Sequence, residues 1–315
     1  MSEDGKPSAR IACQSVMKFY GPKRAVNGVT LQVGEGEIYA LTGPDGAGKT
    51  TLVQLLAGTI KPDSGEVWLC GHSMRENPGE AHARLGYLSQ GFSLYEDLTV
   101  AENLRFFAEV RGIKGGALDE RVHRTLDFVG LEPFAGRLAG ALSGGMKQKL
   151  ALGGAMIHEP GVLLLDEPTS GVDPITRQAF WRLLVALLER GTSVLMTTPY
   201  MDEAARCHRV GLLREGRLMI EGTPAALTRD LSGRMLEVRG DPLRVIADRS
   251  QQLEEVERVQ LFGDHLHLSL RPDSLARVQD QLLEEASSRN WSGVSVEAVE
   301  PSLEDAFLAL LERQA

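Results

Sequence analysis

The sequence predicts an α/β fold with a mainly parallel sheet and some antiparallel strands, followed by a small α+β domain of ferredoxin-like type. Up to about Arg229, short apolar runs alternate with amphipathic helical stretches, which is typical of a parallel sheet covered on both faces. Beyond this point the pattern becomes β-α-β-β-α-β, the order of a ferredoxin-like unit. We therefore expect one domain over residues 10–230 and a second over residues 235–315.

The strands expected in the first domain are short and rich in apolar residues. In chain order they are Ile11–Tyr20, Ala25–Val33, Glu37–Thr42, Gly65–Leu69, Leu85–Ser89, Val162–Leu165 and Ser193–Thr197, with a final hairpin over Val210–Glu221. Helices are expected over Thr50–Ala57, Leu118–Val129 and Ile175–Arg190. A helical subdomain is expected over about residues 95–155, because Thr99 and Glu102 fit a capping box and the following apolar residues take helical spacing.

The second domain has its own series of expected strands and helices. The strands are Met235–Arg239, Val256–Phe262, His265–Leu270 and Val294–Val299. The helices are Pro242–Leu253, Ser274–Arg289 and Ser302–Arg313, the last opening with a capping pair of Ser302 and Asp305. His265 and His267 share one strand face, but the sequence shows no third ligand beside them, so a metal site is not expected there.

Composition and charge narrow the classes of function. The formal net charge of −9 disfavours nucleic acid as a partner. Cys13, Cys70 and Cys207 lie far apart, which argues against a disulfide framework or a C-x-x-C metal site and fits a reducing compartment. The segment Met1–Arg10 lacks the apolar core of a signal peptide, and no run reaches the about 18 apolar residues of a spanning helix. We expect any membrane-spanning part to belong to another chain.

A glycine-rich segment lies between a strand-like run and a helix-like run, and it matches the phosphate-binding pattern G-x-x-x-x-G-K-[ST]. The glycines let successive N–H groups point into one concavity, at the positive end of the following helix. Lys49 is expected to reach the outer phosphates of a nucleotide, and the Thr50 hydroxyl to bind Mg²⁺. The expected binding residues are Gly43, Pro44, Asp45, Gly46, Ala47, Gly48, Lys49, Thr50 and Thr51.

An acid pair, Asp166 and Glu167, follows the buried strand Val162–Leu165. Successive side chains in a strand point different ways, so the two carboxylates can divide the work. Asp166 is expected to hold Mg²⁺ through water, while Glu167 polarises the attacking water in phosphoryl transfer. Taken alone, the pair would be an ordinary cap before Pro168. Together with the phosphate loop it indicates nucleotide hydrolysis.

With the segment Leu142–Gln148 the chain resembles the nucleotide-binding subunit of an ATP-binding cassette (ABC) transporter. The resemblance covers about Ile11–Thr228, with every major motif in family order. It implies that this segment is the signature sequence, whose serine, glycine amides and following helix contact the γ-phosphate of ATP held by the other subunit. Its contact residues would be Ser143, Gly144, Gly145 and Gln148. Ser143 also fits a helix N-cap, which leaves free N–H groups beside two glycines.

The resemblance implies roles for further residues. Tyr20 matches the aromatic residue that stacks on adenine, and Gln90 matches the glutamine that contacts Mg²⁺ and couples to the transmembrane partner. Asp173 matches the aspartate that crosses the subunit interface, and Leu94–Val100 resembles the segment entering the helical subdomain, which the membrane subunits contact. ATP and Mg²⁺ are the implied cofactors, with Thr50, Gln90 and Asp166 as the metal-binding residues.

Two residues depart from the family pattern. Asp45 replaces the usual asparagine and places a carboxylate beside the phosphates, which weakens binding unless it is paired or faces away. Pro199 follows Thr198 where family members have the histidine that orders the attacking water. Proline has neither a side-chain donor nor an N–H, so it cannot fill that role. His208 is expected to pack elsewhere rather than substitute.

The resemblance implies an ATP-hydrolysing subunit that powers export of a small molecule through separate transmembrane permease subunits, at the cytoplasmic face of the membrane. The segment Glu300–Phe307 resembles drug and antibiotic exporter ATPases in particular. A second nucleotide-binding subunit is the other implied partner. Two alternatives stay open: a soluble cassette protein acting on ribosomes or DNA, and an impaired subunit, motivated by Pro199, that pairs with an active cassette. The sequence leaves the cargo and the choice of homodimer or heterodimer open.

Overall fold

The computed structural model describes residues 9–91, 94–289 and 291–313. Within these ranges the chain forms two compact units that divide between Pro224 and Ala225. The predicted fold class is confirmed in both units. The predicted domain limits at residues 230 and 235 stay a prediction.

The first unit alternates strands and helices. Its strands are β1 (Ile11–Tyr20), β2 (Lys23–Val33), β3 (Ile38–Thr42), β4 (Ser64–Leu69), β5 (His72–Ser73), β6 (Leu85–Leu88), β7 (Val162–Asp166), β8 (Ser193–Thr197), β9 (Arg209–Arg214) and β10 (Arg217–Gly222). Its helices are α1 (Lys49–Leu56), α2 (Pro78–Ala83), α3 (Val100–Val110), α4 (Gly116–Val129), α5 (Gly144–Met156), α6 (Pro174–Glu189) and α7 (Met201–Ala204). The short helix α8 (Pro224–Thr228) follows β10.

The central sheet has the strand order β10-β9-β3-β8-β7-β6, in which only the edge strand β10 runs antiparallel to its neighbour. Every residue of β3, β7 and β8 is buried, as expected for the inner strands of a sheet covered on both faces. Because these three strands are parallel neighbours, their carboxyl ends lie side by side. The segments that leave those ends carry the phosphate loop, the acid pair and Pro199.

A second, antiparallel sheet has the order β2-β1-β4-β5. Its buried side chains join those of α1 and of the central sheet in one hydrophobic core. Members of this core from five different elements include Ile11, Val29, Leu52, Leu69 and Leu164. The core therefore fixes α1, whose first turn closes the phosphate loop, to both sheets.

The helical subdomain has a separate core formed by α3, α4 and α5, with Val100, Leu104, Leu126 and Leu150 among its buried residues. The predicted capping box is confirmed, because the Thr99 side chain accepts from Glu102 N and the Glu102 carboxylate accepts from Thr99 N. The box satisfies free N–H groups at the start of α3 and fixes where that helix begins.

The second unit contains β11 (Met235–Asp241), α9 (Leu243–Ser250), β12 (Val256–Phe262), β13 (His265–Leu270), α10 (Leu275–Ser288), β14 (Ser292–Ala298) and α11 (Leu303–Arg313). Its sheet is antiparallel throughout, with the order β12-β13-β11-β14. Strand β13 lies between β11 and β12, and β11 lies between β13 and β14, so each βαβ unit is split by another strand. This is the predicted ferredoxin-like arrangement.

Helix α11 begins with the predicted pair. Asp305 accepts from the backbone N of Ser302 at 2.8 Å, and Asp305 N donates to the Ser302 hydroxyl at 3.2 Å. The expectation that His265 and His267 lack a third ligand group is wrong, because β11 places Glu237 directly opposite His267 in β13. A partner on a neighbouring strand is invisible until the register of the two strands is known.

The elements missed from the sequence are the shortest ones. β5, α2, α7 and α8 span two to six residues and offer too few apolar positions to show a period. Among the described residues, no helix has both the length and the apolar content that crossing a membrane requires.

Candidate functional site

The phosphate loop lies between the end of β3 and the start of α1. Lys49 is 6% exposed, and its Nζ donates to the carbonyl oxygens of Gly43 at 2.7 Å and Pro44 at 3.1 Å. These bonds hold the ammonium group across the loop. Helix α1 has no side-chain cap at its N-terminus and no acidic residue in its first turn. Its free N–H groups and the lysine together form a concave, positively polarised cradle that suits phosphate oxygens.

Gly48 is required by the loop geometry. Its φ is 105°, a backbone conformation that residues with a Cβ rarely adopt, and an added Cβ would lie 2.1 Å from the carbonyl oxygen of Ala25. The loop is also tied to the β9–β10 hairpin, because Gly216 N donates to Ala47 O at 2.9 Å. The loop shape is therefore set by packing against β2 and the hairpin.

Asp166 ends β7 inside the protein, at 1% exposure. Its Oδ1 accepts from the Thr197 hydroxyl at 2.7 Å and from the Thr50 hydroxyl at 3.3 Å. Its Oδ2 is buried and has no hydrogen-bond partner among the described residues. Burial, with the Asp166 charge as the second cause, raises the pKa of the Tyr87 phenol to about 12. The neighbouring phenol thus stays neutral beside the carboxylate.

Glu167 follows in a strained backbone position, with φ of 49°. Its N–H donates to the Thr197 hydroxyl at 2.8 Å, and its Oε2 accepts from Gln90 Nε2 at 3.0 Å. Thr197 therefore contacts both members of the acid pair, and Gln90 orients the second carboxylate. The two carboxylates face different partners, as the sequence predicts.

A cavity of ≈ 590 Å³ joins most of the predicted binding residues, but Gly43 and Pro44 are not among those that line it. It is lined by Tyr20, Lys23, Ala25, Asp45, Gly46, Ala47, Gly48, Lys49, Thr50, Thr51, Gln90 and Glu167. Tyr20 is 50% exposed, so its ring is available for stacking at the wall of the cavity.

Asp45 is exposed, and no ion pair or hydrogen bond to its carboxylate is found in the described ranges. The sequence predicts that the Asp45 carboxylate weakens phosphate binding, and none of the described residues pairs with it to relieve that effect.

The donor groups fit a magnesium ion. The buried, unpaired Oδ2 of Asp166 and the nearby Thr50 hydroxyl are hard oxygen ligands, which Mg²⁺ prefers, and both are oriented by the strand and helix that carry them. Gln90 lies at the same cavity through its contact with Glu167. Asp166 and Thr50 would therefore hold Mg²⁺, which would supply positive charge beside a bound phosphate.

Pro199 lies beyond the carboxyl end of β8 and is exposed. The loop behind it is fixed by a buried carboxylate, Glu203, whose Oε2 accepts from Thr198 Oγ1 at 2.6 Å and from Thr169 Oγ1 at 2.9 Å. His208 lies elsewhere, because its Nδ1 accepts from the backbone N of Ile38 at the opposite end of β3. His208 therefore does not replace the missing histidine.

The signature segment begins α5 as predicted. The Ser143 hydroxyl caps the helix by accepting from Met146 N at 3.3 Å. An added Cβ at Gly145 would lie 2.2 Å from Thr176 Cγ2, so this glycine lets α5 approach the start of α6. Asp173 caps α6, and hydrogen bonds from Thr176 lower the pKa of its carboxyl. The start of α5, which carries the signature residues, and the start of α6, which carries Asp173, therefore form one connected surface.

The structure brings together Asp45–Thr51 of the phosphate loop, Glu167, Gln90 and Tyr20 around one cavity. Gly43, Pro44 and Asp166 are not among the residues that line it, and Asp166 is connected to it through Thr50. The residues found to line that cavity do not include Ser143, Gly144, Gly145, Gln148 or Asp173. Gln148 instead lines a second cavity of ≈ 330 Å³ together with Gln90 and Leu94. Sequence reasoning missed Thr197 and Lys23. The sequence shows only that Thr197 ends a buried strand, and its position beside Asp166 follows from the pairing of β7 with β8.

Comparison with known proteins agrees with this geometry. The family model described as ABC transporter matches residues 26–170. The chain is 42% identical over 295 residues to the probable multidrug ABC transporter ATP-binding protein YbhF of Escherichia coli (strain K12), covering 92% of this chain and 49% of that protein. This chain thus spans about half the length of that relative. It is 37% identical over 310 residues to the Nod factor export ATP-binding protein I of Burkholderia pseudomallei (strain 1710b), covering 97% and 98%.

Solved structures give the same result for the fold. The dimeric structure of a post-hydrolysis state of the ATP-binding cassette MJ0796 bound to ADP and Pi aligns with a TM-score of 0.63 and 28% identity, over 68% of this chain and 98% of that one. The structure of an ATP-binding subunit of an ABC transporter aligns with a TM-score of 0.64 and 28% identity, over 70% and 93%. The resemblance predicted from the motifs is confirmed, and the chain belongs to the family of ABC transporter ATP-binding subunits.

Proposed function

We propose that this chain hydrolyses Mg-ATP and drives export of a small molecule through separate membrane subunits. The observation that carries the proposal is the acid pair, in which Glu167 lines the phosphate-loop cavity and Asp166 contacts Thr50, another lining residue. One carboxylate keeps a buried oxygen without a partner among the described residues, and the other is oriented by Gln90. A site that only held nucleotide would have no use for the second carboxylate.

The residues divide the chemistry among themselves. The N-terminal amides of α1 and Lys49 hold the β- and γ-phosphates, while Tyr20 stacks on the adenine. Thr50 and Asp166 would hold Mg²⁺, which neutralises charge developing on the phosphate oxygens. Glu167 accepts a hydrogen bond from a water and aligns its oxygen with the γ-phosphorus. The bond to the γ-phosphorus forms as the bridging P–O bond breaks, which leaves ADP and inorganic phosphate.

A second cassette completes the site. The signature residues lie outside the cavity of their own chain, and Ser143 and Gly144 are exposed at the start of α5. We infer that this helix start contacts the γ-phosphate held by the other subunit, where its free N–H groups stabilise the anion. Asp173, joined to the same surface through Thr176, then lies at the subunit interface.

Coupling to the membrane runs through the second cavity. Gln90 and Leu94 line it from one side, and Glu96 and Lys147 line it as an ion pair at 2.7 Å. A change at Gln90 on hydrolysis therefore reaches the segment Leu94–Val100, which we propose contacts the permease subunits. We propose that this contact holds the chain at the cytoplasmic face of the membrane. Export is supported by the relatives, whose names specify multidrug transport and Nod factor export.

Turnover of Mg-ATP by the purified chain, measured against protein concentration, tests this proposal. We expect a rate per chain that rises with concentration, because the site needs two copies. Glu167→Gln is the control and should lose at least about 100-fold, the usual worth of a positioned general base. A rate independent of concentration, or one unchanged in Glu167→Gln, would contradict the proposal.

Pro199 favours a second candidate, in which this chain's own site is impaired and its signature serves an unlike, active cassette. Proline offers no hydrogen-bond donor where the attacking water must be ordered. Pro199→His separates the two candidates, since the residue is exposed and the change fits sterically. An increase in turnover of about tenfold or more would favour the impaired site. Unchanged turnover would show that Glu167 and Gln90 suffice.

The soluble alternative is tested by co-purification. A chain carrying an affinity tag should retain membrane proteins from detergent extracts if the exporter proposal holds. Recovery of ribosomes without membrane subunits would support the alternative. The exposed Tyr95 within Leu94–Val100 provides a control, because Tyr95→Ala should weaken membrane-subunit recovery and leave ATP binding unchanged.

A further inference from the structure

The second unit contains a polar cluster that the proposed ATPase does not use. Strands β11 and β13 pair so that Glu237 lies opposite His267, and His265 lies on the same face two residues away. One ligand atom from each of the three residues lies within 4.8 Å of the others. The side chains are 14–23% exposed, so the cluster is partly shielded but reachable from solvent.

The distances do not fit a direct hydrogen-bond network among the three. Glu237 Oε2 lies 3.8 Å from His265 Nε2 and 3.7 Å from His267 Nε2, beyond the about 3.2 Å limit of ordinary N–H···O bonds. Two ligands bound to one tetrahedral zinc ion at about 2.1 Å stand about 3.4 Å apart. The two separations from Glu237 Oε2 are therefore close to the spacing of ligands around one ion, and all three ligand atoms lie within 4.8 Å of one another.

The other nitrogen of each ring is already engaged. His265 Nδ1 lies 2.8 Å from Asp264 Oδ1, and His267 Nδ1 lies 3.0 Å from Asp305 Oδ1. A carboxylate only accepts hydrogen bonds, so each Nδ1 carries the proton, and in the neutral ring Nε2 presents a lone pair to the centre. Carboxylate–histidine pairs of this kind orient the imidazole ligands in metal sites.

Glu237 is oriented in the same way. Arg239 Nε donates to Glu237 Oε1 at 2.7 Å, which leaves Oε2 directed at the two rings. Phe262 stacks on His265, with 5.3 Å between ring centroids, and limits the rotation of that ring. With neutral histidines, three carboxylates and one guanidinium leave the cluster with a net negative charge. This net negative charge attracts a divalent cation.

We propose that Glu237, His265 and His267 bind a divalent transition-metal ion of the zinc class, with a water as the fourth ligand. Two imidazole nitrogens and one carboxylate oxygen are a ligand set that zinc accepts, and they differ from the all-oxygen set that Mg²⁺ prefers. The ion links β11 to β13. Through the contact of Asp305 with His267 it also secures the first turn of α11.

The test is binding of Zn²⁺ to the full chain, without nucleotide, by competition with a chromophoric chelator. We expect one ion per chain at micromolar concentrations. His265→Gln and His267→Gln should each weaken binding by at least about tenfold. His123→Gln, the same change at an exposed histidine of the first unit, should leave binding unchanged. Equal affinity in all four proteins, or no binding below millimolar Zn²⁺, would overturn the proposal.

Two further measurements distinguish a metal site from a loss of folding and from Zn²⁺ binding elsewhere in the chain. Asp264→Asn alters a side chain that is 76% exposed, so we expect the fold to be retained, and the change should still weaken Zn²⁺ binding by about tenfold. Hydrogen exchange should slow on Zn²⁺ addition at the amides of β11, β13 and the start of α11, and this protection should vanish in His267→Gln. Protection that instead appears at the cysteines or the phosphate loop would contradict the assignment. The outcome is independent of ATP turnover.

Discussion

Two buried carboxylates lie near the carboxyl end of β8, and they differ in how their oxygens are satisfied. Glu203 is 0% exposed, and its oxygens contact the hydroxyls of Thr169 and Thr198, the Trp181 indole N–H at 3.4 Å and Arg177 Nε at 3.5 Å. Asp166 is equally buried, yet its Oδ2 has no hydrogen-bond partner within the described ranges. A buried charge left half satisfied is costly. We infer from this contrast that Glu203 serves the fold and that Asp166 is available to a ligand.

The largest expected effect is on stability, at Glu203. Glu203→Ala removes the acceptor of two hydroxyls and leaves Arg177 without its buried counter-charge, so the first unit should lose about 3–5 kcal/mol of unfolding free energy. Urea unfolding followed by the fluorescence of Trp181, which contacts this carboxylate, measures the loss. A loss below about 1 kcal/mol would contradict the structural role of Glu203, because its bonds to Thr169 and Thr198 would then contribute little to stability.

Asp166→Asn should have the opposite effect, with a large loss of ATP turnover and little loss of stability. The change preserves shape but removes the charge that would hold Mg²⁺, so ATP turnover should fall at least about 100-fold. The free energy of unfolding, measured with urea, should stay within about 1 kcal/mol of that of the parent protein. The reason is that the hydroxyls of Thr50 and Thr197 keep an acceptor. A strongly destabilised variant would mean that Asp166 is structural like Glu203.

His158 is a second half-satisfied group, and its half-buried side chain does not line the cavity. Its Nε2 lies 3.0 Å from Leu85 O, and its Nδ1 has no partner in the part of the chain that the structure describes. Burial, followed by the charge of Arg111, lowers the pKa of His158 to about 4. The unfolded chain takes up a proton at this ring near pH 6.5, whereas the folded ring stays neutral until about pH 4. The free energy of unfolding should therefore fall as the pH drops from 7 to 5.

The expected loss is about 1 kcal/mol, allowing for solvent screening at a partly exposed ring. It is measured by urea unfolding at the two pH values, and His158→Gln should reduce the pH dependence. A parent protein that becomes more stable over this range would contradict the account. The result measures what it costs to protonate this half-buried ring in the folded protein.

The smallest effect is expected at Asp45, a carboxylate that is exposed beside the phosphate loop. Asp45→Asn removes a like charge from the phosphates and should tighten ATP binding by about threefold to tenfold, since charges a few ångströms apart in water repel by about 1 kcal/mol. Calorimetry in the Glu167→Gln background isolates binding from turnover. The gain should shrink at high salt. Weaker binding in Asp45→Asn would show that the carboxylate contributes to the site.

The phosphate loop, the acid pair and both capping pairs could be predicted because their members lie within a few residues of one another. Local spacing alone fixes which backbone groups the Ser143 and Thr99 hydroxyls meet. The strand-helix alternation likewise predicts the sheet, because buried inner strands require continuous apolar runs.

Other contacts depend on strand register, which no local pattern reveals. Thr197 meets Asp166 only because β7 and β8 pair in parallel with these residues opposite each other. The buried role of Glu203 depends on Thr169 and Trp181, which other segments supply. Glu237 joins His265 and His267 only through the pairing of β11 with β13. Register is set by the packing of whole sheets, so these sites become visible only in the structure.

The claim that the signature of one copy completes the phosphate site of another is tested most directly by ATP-dependent association. Glu167→Gln should bind ATP without hydrolysing it, so this variant should form dimers with ATP when its mass is followed by size-exclusion chromatography with light scattering. Adding Ser143→Arg, at an exposed helix start, should abolish the dimer while ATP binding to the monomer persists. Dimers that form equally well with Ser143→Arg would contradict the account.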